Sequence, residues 1–161
     1  MLSLRQAVSV IVHDTAVDKV VTIHYANAGW AAEPTWTIPG GKAEVTDRAL
    51  DEAAARELRE ETGLVVAAAD LRLVHTIQVK AGWDGQGPFL LHIFAATTWS
   101  GELVNAEPTK HLAAIWTPTD NLPMPMFPTS YAALVAYLNG GRGFSTHGFD
   151  EGADPRALVR R

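Results

Sequence analysis

The sequence predicts an α+β domain in which a mixed sheet lies between helices. Three observations predict it. Apolar or β-branched runs recur at 7–12, 19–25, 71–79, 89–99 and 112–117. An alanine- and glutamate-rich stretch near 46–62 has helical spacing and follows a short third strand-like run. A second amphipathic stretch, 129–139, comes after the last strand-like run and stops at Gly140-Gly141. Strands, a helix, more strands and a final helix are the order of a layered sandwich.

The run 7–12 is rich in β-branched residues and reads as a buried strand. A polar turn at 13–18 leads into 19–25, and so short a connection predicts antiparallel pairing. His13 and His24 sit near strand ends and read as structural residues rather than ligands. The loop 27–34 is long enough to shape one wall of a pocket. Residues 36–38 are strand-like up to Pro39, which lacks a backbone donor. Trp36 reads as a core or pocket aromatic. The first helix is expected to start near Thr46 or Asp47, both good caps, and to run to Thr62. Its alanines favour close packing on a sheet, and Gly63 is its stop signal.

Residues 65–67 are short and β-prone, and 71–79 alternates as a long strand with one wet face. Gly82, Gly85, Gly87 and Pro88 mark 81–88 as a hairpin loop. Trp83 within it is either a surface aromatic or a flap over a base. The run 89–99 is the most hydrophobic and is expected to be central in the sheet. A turn at 100–102 and a polar segment at 105–111 lead to the strand 112–117, which Pro118 ends. The proline-punctuated stretch 122–128 cannot be regular. Met126 and Phe127 within it either line a base pocket or pack in the core. The final helix presents Tyr131, Leu134, Val135 and Leu138 as its packing stripe. Residues 1–142 are expected to form the domain. Residues 143–161, rich in glycine and charge, are expected to be a loosely held tail or a dimer arm.

Composition narrows the function. A chain of 161 residues, 47% apolar and 19% charged, suits one globular domain. A net charge of −5 argues against a general nucleic-acid binder, which needs a basic face. It leaves a phosphorylated substrate open, because a bound cation would supply local positive charge. The absence of cysteine excludes disulfides and thiolate zinc sites. No apolar run approaches the roughly 20 residues of a membrane helix. The first residues lack a signal-peptide pattern. A cytoplasmic protein with no membrane partner is the expectation.

The chemistry concentrates between Gly40 and Leu64. On a helix, Glu57, Glu60 and Glu61 stand at i, i+3 and i+4, so their carboxylates share one face. Such a face is either simply solvated or held together by a hard cation. Arg56, four residues before Glu60, can brace it across one turn. The Gly40-Gly41 turn lets a backbone carbonyl approach a ligand without a side chain in the way. On the second of these readings, Glu57, Glu60, Glu61 and the Gly41 carbonyl are the ligand set for Mg²⁺, with Mn²⁺ as a substitute.

The run Arg56-Glu57-Leu58-x-Glu60-Glu61-x-Gly63-Leu64 resembles the second half of the Nudix box, G-x5-E-x7-R-E-U-x-E-E-x-G-U, where U is a bulky aliphatic residue. Every specified position of that half matches. The first half departs: Asp47 stands where the family usually has Glu, and one extra residue separates it from Arg56. Surface loops absorb such an insertion at low cost.

The resemblance implies a Nudix-type α/β/α sandwich and metal-dependent hydrolysis of a nucleoside diphosphate-linked compound. The general base varies among members. Glu57 is the first candidate, Glu60 the second, and Glu107 a third. Glu107 follows Glu102 at a spacing similar to that of a metal-facing glutamate in MutT-like members, which implies a further ligand; the alternative is a loop glutamate capping nearby backbone. Trp36, Lys42, Met126 and Phe127 are the expected substrate contacts.

The favoured substrate is a nucleoside triphosphate, oxidised or non-standard nucleotides included, cleaved to the monophosphate and pyrophosphate. ADP-ribose or a nucleotide sugar is the alternative. A nucleotide-binding regulatory module is the non-enzymatic alternative, and an RNA decapping enzyme fits poorly with the acidic balance. A small-molecule nucleotide is thus the expected partner, with no nucleic acid. Nudix enzymes are often homodimers, and the resemblance leaves that assembly open here.

Overall fold

The computed structural model describes residues 4–26, 33–82, 87–141 and 143–161. Eight strands and two α-helices are assigned among them. In chain order these are β1 (Arg5–Asp14), β2 (Lys19–Tyr25), β3 (Thr35–Thr37), β4 (Gly40–Lys42), α1 (Leu50–Thr62), β5 (Arg72–Val79), β6 (Phe89–Ala96), β7 (His111–Pro118), α2 (Pro128–Leu138) and β8 (Gly143–His147).

The sheet is mixed, as expected. β1 runs parallel to β6 and antiparallel to β4, with Val8 opposite His92 on one side and Gly41 on the other. β5 is antiparallel to β6, and β8 adds a parallel edge to β5. The hydrophobic β6 is therefore interior. β1 and β2 are antiparallel, but they pair only at His13↔Val20 and Asp14↔Lys19. Beyond that point β2 diverges and pairs with β3 and β7.

Alternation along β1 builds two cores. Val8, Val10 and Val12 pack with Ala53, Ala54 and Leu58 of α1. Ile11 belongs to the opposite layer with Ile77, Ile93, Met126 and Leu134 of α2. Burial on both faces explains why β1 reads as a continuous apolar run. His13 is structural, hydrogen-bonded to the Tyr137 hydroxyl at 2.8 Å and to Asp18 at 2.9 Å.

One expectation is corrected. α1 begins at Leu50 rather than at Thr46 or Asp47, and Ala49 at its cap is extended. Asp47 is engaged elsewhere, because its Oδ2 accepts the Glu44 N–H at 2.8 Å and both its oxygens take Arg56. Within residues 143–161, the strand 143–147 and Val159 pair with the rest of the chain. β8 lines β5, and Val159 and Met126 exchange backbone hydrogen bonds of 2.9 and 3.0 Å. Strand pairing draws on backbone groups that composition does not reveal. Trp83 and residues 27–32 of the loop expected to shape a pocket wall lie outside the described residues. No helix among the described residues is long and apolar enough to cross a membrane.

Candidate active site

α1 meets the sheet where β4 crosses β1. Its apolar face holds Leu58 at zero exposure, and the helix ends at Gly63, whose φ of 73° is the left-handed conformation glycine favours. This docking presents the glutamate face to the Gly40-Gly41 turn.

Glu61 is 3% exposed and accepts the Gly40 N–H at 2.7 Å through Oε1. Glu57 lies against Gly41 so closely that a Cβ there would stand 2.3 Å from its Oε1. Only glycine leaves room for that carboxylate. Burial, followed by the Glu61 charge, pushes the Glu57 carboxyl up to about 7, against the opposing pull of Arg56. Burial also raises Glu61, opposed by His111 and the Gly40 N–H. Burial and a like charge thus both oppose ionisation at each carboxyl, Glu61 acting on Glu57 and Glu107 acting on Glu61.

Arg56 organises the rest. Its Nη1 donates to Glu57 Oε1 at 3.1 Å and to Glu60 Oε2 at 3.2 Å, and its Nη2 donates to the Lys42 carbonyl at 3.2 Å. Its Nε and Nη2 also grip Asp47, each at 2.9 Å. Glu60 is the most open of the three glutamates, with its side chain 48% exposed. Glu107 pairs with Lys110 at 2.8 Å, and its charge acts on both Glu61 and Tyr25. Its carbonyl caps the following turn by accepting the Lys110 and His111 N–H groups.

An apolar-walled cavity of about 310 Å³ opens beside the same turn. Tyr25, Thr37, Lys42, Phe89, Phe127 and Ser130 are among the residues that line it. Of the four substrate contacts expected from sequence, Lys42 and Phe127 are therefore on its wall. Met126 is fully buried in the α2-side core, and Trp36 stacks on His24 with ring centroids 4.3 Å apart. Neither lines the cavity.

Sequence reasoning missed two residues. Tyr25 lines the cavity and feels the charges of Glu61, Glu107 and Glu57, which place it between cavity and glutamates. His111 is 1% exposed, with its Nε2 3.3 Å from Glu61 Oε2. The two face the site through the β2–β7 register, which no local spacing signals.

The donor set fits a hard divalent cation. Carboxylate oxygens and a backbone carbonyl are what Mg²⁺ takes, completed by waters and phosphate. Among the described residues, no three acidic or histidine side chains already converge as a cage. The reason is visible in the contacts: Glu57 and Glu60 share Arg56, while Glu61 turns to Gly40.

Oxygen donors next to an apolar cavity suit a molecule with a charged end and a flat end. The model of the NUDIX domain family matches residues 3–138, and the chain belongs to that family. Members of the family are pyrophosphohydrolases.

Among curated relatives, an uncharacterised Nudix hydrolase of Bacillus subtilis, YvcI, is 32% identical over 88 residues. That match covers 55% of this chain and 52% of the relative, so the chain spans about half of the relative's length. A MutT protein from Bacillus halodurans shares the fold with a TM-score of 0.73 at 25% identity, covering 98% of this chain and 95% of that one. The NUDIX domain of Shewanella oneidensis NrtR, solved with ADP ribose, has a TM-score of 0.70 at 19% identity, over 87% of this chain and 90% of that one.

Proposed function

We propose that this chain hydrolyses the phosphoanhydride of a nucleoside diphosphate-linked compound with Mg²⁺ or Mn²⁺, and that a nucleoside triphosphate cleaved to monophosphate and pyrophosphate is the favoured substrate. One observation carries the reading: Glu57 and Glu61 are desolvated together against the Gly40-Gly41 turn, at the edge of a cavity of about 310 Å³. A bound divalent cation would let both carboxyls ionise where burial alone favours the protonated form, whereas a merely solvated glutamate face would have no need of burial.

Glu57, Glu60, Glu61 and the Gly41 carbonyl would hold the ion, with Glu107 within reach of the same field. The ion would neutralise phosphate oxygens and lower the pKa of water. The rest of the work falls to the chain. The cavity walls, with Phe127 and Tyr25, would take the nucleoside, since aromatic faces stack on bases. Lys42 would meet phosphate charge at the mouth. Arg56 orients Glu57 and Glu60, in the manner of an outer-shell partner. Water attacks phosphorus, its proton passes to a carboxylate, and the anhydride P–O bond breaks to release pyrophosphate. Glu57 is the base we favour, because its carboxyl lies against Gly41 at the edge of the cavity, with Glu60 the second candidate.

ADP-ribose or a nucleotide sugar is the second reading; the NrtR NUDIX domain, which shares the fold, was solved with ADP ribose. A panel of nucleoside triphosphates, ADP-ribose and nucleotide sugars with Mg²⁺ separates the two. Release of pyrophosphate from a triphosphate is the expected result. Turnover of ADP-ribose with none of any triphosphate would reverse the order.

A further inference from the structure

His111 stands apart from the other histidines of the described chain. Its side chain has no exposed surface, and among the described residues neither Nδ1 nor Nε2 meets full hydrogen-bond geometry, Nε2 approaching only Glu61 at 3.3 Å. A wholly buried ring with two unsatisfied nitrogens costs stability, so its retention calls for a reason. The ring is also held firmly. The His111 N–H donates to the Glu107 carbonyl at 3.0 Å, and its own carbonyl accepts Asn105 Nδ2 at 2.8 Å. Tyr25 packs edge-on against it, with centroids 4.7 Å apart and planes at 75°.

Held this way, Nε2 faces Glu61 Oε2 at 3.3 Å, near enough to pull the Glu61 carboxyl down against the upward push of burial. Glu61 Oε1 is already committed to the Gly40 N–H. The carboxylate is thus confined between a backbone donor and an imidazole edge.

We propose that His111 is a positioning residue, which fixes the Glu61 carboxylate through Nε2 in the orientation that grips the divalent cation. The inference rests on the reading of Glu61 as a ligand. Partners of ligating carboxylates commonly account for about 10–100-fold in metal affinity or activity.

The test titrates Mn²⁺ into metal-free protein without nucleotide and follows free Mn²⁺ by electron paramagnetic resonance. His111→Gln places an amide nitrogen near the Nε2 position, whereas His111→Asn reaches only the Nδ1 side. His111→Leu removes both nitrogens. The expected result is that His111→Gln retains Mn²⁺ affinity within about threefold, while His111→Asn and His111→Leu lose about tenfold or more. Their kcat falls while KM for nucleotide holds.

Wild-type affinity in His111→Asn and His111→Leu would overturn the proposal. So would equal losses in His111→Gln and His111→Asn, a comparison that stands even if His111→Leu does not fold. A wild type that ignores Mn²⁺, or a Glu61→Gln variant that binds it unchanged, would instead remove the reading of the site.

Discussion

Asp47 and Arg56 meet as carboxylate and fork, with Nε to Oδ1 and Nη2 to Oδ2 both at 2.9 Å. Asp47 occupies the place where the family usually carries a glutamate, one residue further from Arg56 along the chain. The shorter side chain still reaches, because the loop 43–49 carries it to the arginine and delays the start of α1 until Leu50.

Replacing Asp47 tests this bracing. Asp47→Asn keeps the shape and removes the charge. Loss of a charge-assisted pair is worth about 1–3 kcal/mol, and a fall of that order in the unfolding free energy from urea titration is expected. The Arg56 hydrogen bonds hold the Asp47 carboxyl below its usual range. A depressed folded pKa gives stability that is present above the unfolded value and lost as pH falls through the folded one. The wild type should therefore lose stability on acidification below about pH 4, and Asp47→Asn should lose less over that window.

Glu57 works in the opposite sense. Its folded pKa is raised to about 7, so the metal-free folded state binds more protons than the unfolded one between the ordinary glutamate range and about 7. Stability contributed by this group is present below that window and lost as pH rises through it. Urea midpoints measured with chelator should fall from pH 4.5 to 7.5. Glu57→Gln should flatten the slope. Metal affinity should move the other way, rising with pH, because ligating carboxylates must be deprotonated.

Glu60→Gln separates folding from catalysis. The Glu60 side chain is 48% exposed, so its loss should shift Tm by little. Most turnover should vanish, by about tenfold or more in pyrophosphate release. Unchanged turnover would reject Glu60 as a ligand.

The two glycines of the turn should fail differently. A Cβ at Gly40 would lie 2.3 Å from the Val8 carbonyl, which is backbone and cannot move aside. Gly40→Ala should lower stability by about 2 kcal/mol or more, read by thermal unfolding. A Cβ at Gly41 would strike the Glu57 carboxylate, the end of a side chain that can swing away. Gly41→Ala should keep most of its Tm while losing Mn²⁺ affinity and activity.

What was legible in the sequence was what local spacing encodes. The helical period places Glu57, Glu60 and Glu61 on one face and Arg56 one turn from Glu60, and those contacts lie within a few residues of each other. The apolar runs marked strands and the order of layers, because burial on both faces leaves little room for polar residues in β1 and β6. Asp47 was harder to place: a good helix cap by type, it is spent on Arg56 and the Glu44 N–H, and only the folded loop decides between those uses.

The chain alone determined the family pattern, the mixed sandwich and the glutamate face, since each follows from side-chain chemistry at short range. Tertiary structure decided which residues gather around that face. The register of β2 against β7 brings Tyr25 and His111 to Glu61, and the pairing of Val159 with Met126 draws in the final segment. It also buries Met126 while leaving Phe127 on the cavity wall. Such pairings join residues distant in sequence through backbone hydrogen bonds that every residue type offers alike, so no local spacing announces them.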